Sequence, residues 1–205
     1  MKVVIIGGGE VGFHVAKALS EEDYDITVID IDPIKCSRAS ENLDVIVVEG
    51  NGASPRNLSE ANVQEADYVL CLTRVDEVNL IASQQANELG AKKIIARLRN
   101  QQYSTRDSII KPEKFGIDHV IHPEREAVKE IVKLVRHSYA TQVMDFEGGR
   151  MQMIGIRLEE SSPIIGKTVR EICDEDRDFR FGIVTVMREG ESHVPWSDFV
   201  FKHID

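Results

Sequence analysis

Six short apolar runs punctuate the first part of the chain: KVVIIG (2–7), DITVID (25–30), DVIVVEG (44–50), DYVLCLT (67–73), KKIIARL (92–98) and DHVIH (118–122). Their length and aliphatic content predict six strands. The segments between them repeat apolar residues at helical spacing, as in Val11, Val15, Ala18 and Leu19, or Val78, Ile81, Ala82 and Ala86, and each is long enough for a crossover. Strands that are apolar on both faces and joined by helices imply a parallel sheet covered on both sides. Residues 1–138 are therefore expected to form an α/β domain with a doubly wound, Rossmann-like parallel sheet of six strands, closed by the helix EREAVKEIVKLV (124–135).

Beyond that helix the period changes. TQVMDFE (141–147) and RMQMIGIRL (150–158) alternate around Gly148 and Gly149, which predicts a β-hairpin with a two-residue glycine turn. PIIGKTVREI (163–172) predicts a short helix, FGIVTVM (181–187) a strand, REGES a turn and DFVF (198–201) a last run. Residues 139–205 thus read as a small α+β module.

The 205 residues, 42% of them hydrophobic, suffice to bury a sizeable core. A balance of 25 Lys and Arg against 35 Asp and Glu gives a formal charge of −10, which repels a phosphodiester backbone, and no basic block opposes it. Nucleic acid is not an expected partner. Cys36, Cys71 and Cys173 are an odd number at spacings that fit neither a disulfide framework nor a zinc site, and they read as reduced cysteines. Met1 and Lys2 lead directly into the first strand without a tripartite signal, and no uncharged apolar run approaches the ~20 residues needed to cross a bilayer. The expectation is a protein that is neither secreted nor membrane-inserted.

The strongest chemical signal is Gly7-Gly8-Gly9-Glu10-Val11-Gly12, a G-x-G-x-x-G segment that follows a strand and opens the amphipathic helix 10–20. Gly7 permits the tight turn, Gly9 lets a pyrophosphate approach the backbone, and Gly12 lets the helix lie close to the strand. The unpaired N–H groups and positive dipole end of that helix then face the phosphates. Asp30 ends the second strand, where a carboxylate can accept from ribose hydroxyls. Because it would repel a 2′-phosphate, it favours NAD(H), ATP or ADP over NADP. Asp32 has two readings, a second ribose acceptor or the N-cap of helix 33–41 ahead of Pro33.

Ligands of open α/β sheets bind outside the carboxyl ends of the strands, so EGNGASP (49–55), LTRVDEVN (72–79), ARLRN (96–100) and HPE (122–124) are expected to line the same crevice. Asn51 and Gly52 suit the adenine edge, Thr73 and Arg74 the ribose or pyrophosphate side, and Arg97 and Arg99 a phosphate fork. Catalytic signals are missing: there is no G-x-S-x-G, H-E-x-x-H, Cys-x-x-Cys or Walker A sequence, and His119 and His122 read as surface or capping residues. A dehydrogenase also needs a substrate domain and a positioned proton carrier. The nucleotide is expected to be sensed rather than transformed, so the chain reads as no enzyme. The alternative is an NAD-dependent oxidoreductase fragment lacking its substrate domain.

The ordered set IIGGGEVG, VIDID, VVEGNGASP, LTRVDEVNL, ARLRN and HVIHPE resembles the RCK, or KTN (TrkA-N), regulatory subunits of potassium transport systems, and RLEESSPIIGKTVREI with FGIVTVMREGESHVPWSDFVF resembles their small C-terminal module. The resemblance implies a cytoplasmic protein that binds NAD(H) or ATP/ADP, assembles as a homo-oligomer from dimer to ring, and lies at the inner face of the plasma membrane beneath a membrane-embedded potassium-translocating subunit of the TrkH/TrkG kind. It implies that Gly7, Gly8, Gly9, Glu10 and Val11 form the phosphate loop and that Asp30 holds the adenosine ribose. Asn51, Gly52, Thr73 and Arg74 would line the adenosine side, Arg97 and Arg99 would reach phosphate, and Glu124 would stand near the dimer interface, where such proteins can use a carboxylate in nucleotide or cation contacts. Such proteins usually carry two halves in tandem and a C-terminal module that continues past the point where FKHID ends, so the chain is expected to be either a truncated piece or an unusual short member.

Overall fold

The computed structural model describes residues 1–103, 108, 110–136, 140–175 and 182–203, and the chain divides into two compact units, Met1–Val128 and Lys129–Asp205. In the first unit β1 (Lys2–Ile6), α1 (Glu10–Ser20), β2 (Asp25–Asp30), α2 (Pro33–Asn42), β3 (Ile46–Glu49), α3 (Pro55–Glu60), β4 (Tyr68–Cys71), α4 (Asp76–Leu89), β5 (Ile94–Arg97) and β6 (His119–Ile121) follow in order, and α5 (Pro123–Arg136) begins there. The six strands are all parallel in the order β3-β2-β1-β4-β5-β6. The order reverses between β1 and β4, and that switch point places the glycine loop after β1 beside the end of β4.

Side chains alternate along β1. Val3 and Ile5 enter a cluster with Ile26, Val28, Leu70, Leu72 and Ala16 of α1, whereas Val4 and Ile6 enter one with Ile29, Val48, Val69, Leu80 and Ala86. Because both faces are covered, the strands read as continuous apolar runs. Two helices turn differently from their apolar pattern. α1 buries Gly12, Phe13 and Ala16 while Val11 and Ala18 are exposed, and α4 buries Asp76, Asn79, Leu80, Ala82, Ser83 and Ala86 while Ile81 is exposed. In α4 the polar side chains face inward because the strand ends beneath it offer unpaired backbone groups.

The second unit holds an antiparallel hairpin of β7 (Gln142–Phe146) and β8 (Met151–Gly155), the helix α6 (Val169–Glu175), and a second hairpin of β9 (Val186–Arg188) and β10 (Glu191–His193). The first hairpin forms as expected but not through a two-residue turn. Phe146 pairs with Met151, so four residues connect the strands, with Glu147 and Gly149 at φ 51° and 86°. The helix expected at 163–172 lies later, because Thr168 and Glu171 form a capping box: Glu171 accepts from Thr168 N–H at 2.8 Å and Thr168 Oγ1 accepts from Glu171 N–H at 3.2 Å. Of the strand expected at 181–187, Phe181 lies outside the described residues and the ladder begins at Val186. Its turn is Glu189-Gly190, both at positive φ, so Glu191 and Ser192 belong to β10 rather than to a turn. A small cluster of Ile172, Val186, Phe199 and Phe201 forms this unit's core. Cys36 and Cys71 are buried and Cys173 is exposed; all are free thiols, and burial pushes the Cys71 thiol up to about 12.

Candidate functional site

The glycines of the loop meet different surroundings. Gly7 leaves β1 at φ 107° and donates its N–H to Ile29 O at 2.7 Å; a Cβ there would stand 2.9 Å from Thr73 N. Gly12 is tighter, since a Cβ would fall 1.8 Å from Gly7 O. Gly9 caps α1 without a side chain, and a Cβ on it would meet nothing within 4 Å. The first turn of α1, carrying Glu10 and the exposed Val11, therefore opens on the Gly9 side with its N-terminal amides available. The Glu10 carboxylate turns away to Arg38, which donates at 2.7 Å and whose guanidinium lies 4.0 Å over the Phe13 ring. That pairing holds the Glu10 carboxyl below its usual range.

Asp30 is buried to 8% exposure, and both of its oxygens are engaged by backbone: Oδ2 accepts from Gly8 N–H at 2.7 Å and Oδ1 from Asp32 N–H at 2.9 Å. Lys35 Nζ stands 3.6 Å away. The loop that would hold phosphate and the carboxylate that would hold ribose are thus one hydrogen-bonded piece. Asp32 serves as the N-cap of α2, accepting from Ile34 N–H at 3.0 Å; that bond and Lys35 lower its pKa.

At the end of β3, Asn51 Oδ1 accepts from Ala53 N–H at 2.9 Å, and Gly52 is buried where a Cβ would stand 2.1 Å from Ile6 Cγ2. Gly52 is thus required by the approach of its loop to β1. Thr73 engages Asn79 through N–H, hydroxyl and carbonyl. Arg74, Arg99 and Glu124 line one cavity of about 480 Å³ together with Asp76, Glu77 and Asn100; Gly7, Gly8, Gly9 and Asp30 are not among its lining residues. Arg99 Nε donates to Glu124 Oε1 at 2.9 Å in the first turn of α5. The Glu124 carboxyl is lowered by its own backbone N–H and then by Arg99. Arg97 is half-buried, and its Nε is buried without a hydrogen-bond partner among the described residues.

This set fits a nucleoside phosphate. An open glycine-capped helix start, a fixed carboxylate, a buried guanidinium donor without a partner and two further arginines at the same strand ends supply complementary donors and acceptors. A second cavity of about 370 Å³, lined by Lys2, Tyr24, Asp25, Asp44 and Asn62, lies at the opposite ends of the strands, away from the helix N-terminus that attracts anions. Sequence reasoning missed Asp76 and Asn79, which hold the β4 and β5 ends; the signal was a pair of polar residues three apart on α4, in line with Ser83 and Ala86.

The fold places the chain in the Rossmann-like class of α/β proteins. A family model described as the TrkA-N domain matches residues 3–123, and the chain belongs to that family. A Trk system potassium uptake protein TrkA homolog of Archaeoglobus fulgidus is 34% identical over 202 residues, 98% of this chain and 45% of the relative. One of Methanothermobacter thermautotrophicus is 33% identical over 202 residues, 98% of this chain and 89% of the relative. The chain therefore spans less than half of the former and most of the latter. Among solved structures, the GsuK RCK domain superposes with TM-score 0.63 at 17% identity, covering 99% of this chain and 43% of that one. The GsuK channel bound to NAD gives 0.62 at 18%, covering 99% and 36%. At these identities the structures establish the fold.

Proposed function

We propose that the chain is a regulatory subunit of a potassium uptake system that binds NAD(H) or ATP/ADP at the β1–α1 loop. Nucleotide occupancy would bias an oligomeric ring between conformations and so gate a membrane-embedded, TrkH/TrkG-like potassium-translocating subunit from the cytoplasmic side. In this reading residues 1–138 are the nucleotide-binding domain and 139–205 the C-terminal module. The observation that carries it is the bond from Gly8 N–H to Asp30 Oδ2 at 2.7 Å, which fixes the ribose acceptor against the glycine loop. The names of the potassium-uptake relatives and of a structural neighbour bound to NAD support the physiological side. No helix among the described residues is long and apolar enough to cross a membrane. A second copy of this chain is the expected occupant of the exposed aliphatic stripe on α5, where Val128, Ile131, Val132 and Val135 stand 40–73% exposed. A ligand can shift such a ring only by its differential affinity for the two states.

The test is calorimetric titration with NADH, NAD, ATP, ADP and NADPH in parallel, on the wild type and on Asp30→Ala. The expected result is binding of at least one nucleotide with an unphosphorylated ribose, weaker NADPH, and affinity lost by about tenfold or more in the variant. Absence of binding sinks the reading, and preferential NADPH binding removes the role given to Asp30.

A further inference from the structure

Two of the polar side chains that α4 carries into the protein, Asp76 and Asn79, end on backbone belonging to a strand end of the crevice. Asn79 has no exposed surface and makes four hydrogen bonds. Its Oδ1 accepts from Thr73 N–H at 3.0 Å and from Thr73 Oγ1 at 2.7 Å; its Nδ2 donates to Thr73 O at 3.1 Å and to Arg97 O at 2.8 Å. The orientation of the amide follows from these partners, because the N–H needs an acceptor and the two carbonyls need donors. One turn earlier, Asp76 accepts from Arg99 N–H through both oxygens at 3.0 Å and from Asn100 N–H at 2.7 Å. Thr73 is in turn the backbone against which Gly7 lies, with room only for a hydrogen at that Cα. The ends of β1, β4 and β5 are thereby joined through two side chains on one face of a single helix.

We infer that Asp76 and Asn79 are positioning residues of the nucleotide crevice, Asp76 fixing where Arg99 stands and Asn79 fixing the β4 and β5 ends against the glycine loop. The inference rests on the nucleotide-binding reading above. Its physical basis is that a fully satisfied buried polar group holds its partners in one arrangement, whereas a partly satisfied one is costly and leaves them free. Arg99 sits on an exposed loop, and a guanidinium there would sample many positions without an anchor on its own backbone. With Asp76 beneath it, that loop is set before any phosphate arrives, so less ordering is lost on binding.

The variants Asp76→Asn and Asn79→Asp keep side-chain shape. The first turns an acceptor oxygen into an NH₂ facing backbone N–H groups, and the second turns two donors into an acceptor facing two carbonyls. Displacement of a fluorescent ADP analogue from the full chain by ADP and by adenosine reads the two halves of the site in one assay. In Asp76→Asn, ADP is expected to weaken about tenfold while adenosine stays within about twofold, and Asn79→Asp is expected to shift the same ratio in the same direction. In an Arg99→Ala background, Asp76→Asn is expected to have no further effect on ADP. Equal losses for ADP and adenosine, or an undiminished effect without Arg99, would mean a structural role alone and overturn the inference. A wild type that fails to bind the analogue overturns the nucleotide reading itself, and the inference with it; a wild type that binds with variants of unchanged ratio overturns only the inference. Hydrogen exchange of the ligand-free wild type needs no variant to fold: the Arg99 and Asn100 amides are expected to be protected, and free exchange there also overturns it.

Discussion

Gly9 and Gly12 belong to one motif yet should fail differently. Gly12→Ala places a methyl 1.8 Å from a backbone oxygen, so α1 must move away from the loop. A loss of about 1–3 kcal/mol or more is expected, with nucleotide affinity falling alongside it. Gly9→Ala meets open space at an extended cap position, so its stability cost should stay under about 1 kcal/mol while its methyl stands where a phosphate would approach. Thermal melts and nucleotide titrations of both variants separate the two roles, and a strongly destabilised Gly9→Ala would contradict the open site. At this scale the sequence was partly legible. The place of Asp30 could be read because β2 ends beside the glycine loop, where Gly8 N–H meets its carboxylate. The capping role of Asp32 could not be settled from sequence, since a carboxylate at that place serves equally well as a ribose acceptor or a cap, and the bond to Ile34 N–H appears only in the structure. Asp76 and Asn79 were invisible because the bonds that tie them to β5 reach backbone groups 23 and 18 residues away along the chain, on a strand end that only the sheet brings near.

Periodicity identified the helices but not always the faces they bury. In α4 the inward stripe runs through Asp76, Asn79, Ser83 and Ala86, so a search for aliphatic spacing selects Ile81, which is exposed. The hairpin of β7 and β8 was legible from alternation, while its turn was not, because four residues connect the strands and Glu147 as well as Gly149 takes a positive φ. α5 is the opposite case: its pattern is strongly amphipathic, and the aliphatic residues it aligns remain exposed. If a second copy covers that stripe, Ile131→Lys should lower the oligomeric state at a given concentration without shifting the monomer's far-ultraviolet circular dichroism. Light scattering coupled to gel filtration measures this, and an unchanged mass for Ile131→Lys would place self-association elsewhere on the chain.

For the whole molecule, the two units differ in what holds them together. The first buries two extensive clusters on either side of its sheet, whereas among the described residues the core of the second is four buried residues, Ile172, Val186, Phe199 and Phe201, with a few half-buried neighbours. Small cores leave little stability after conformational entropy is met, so the second unit is expected to unfold first on heating. A nucleotide held by Gly8, Asp30 and the β5 arginines contacts only the first unit in this reading, and linkage then stabilises that unit by about 2.7 kcal/mol at a ligand concentration one hundred times Kd. Scanning calorimetry of the full chain should therefore resolve a lower transition that ADP leaves in place and an upper one that ADP raises. If ADP instead raises the lower transition as well, the second unit shares in the binding energy, and the module would be a direct receiver of nucleotide occupancy rather than a passive appendage of the sheet.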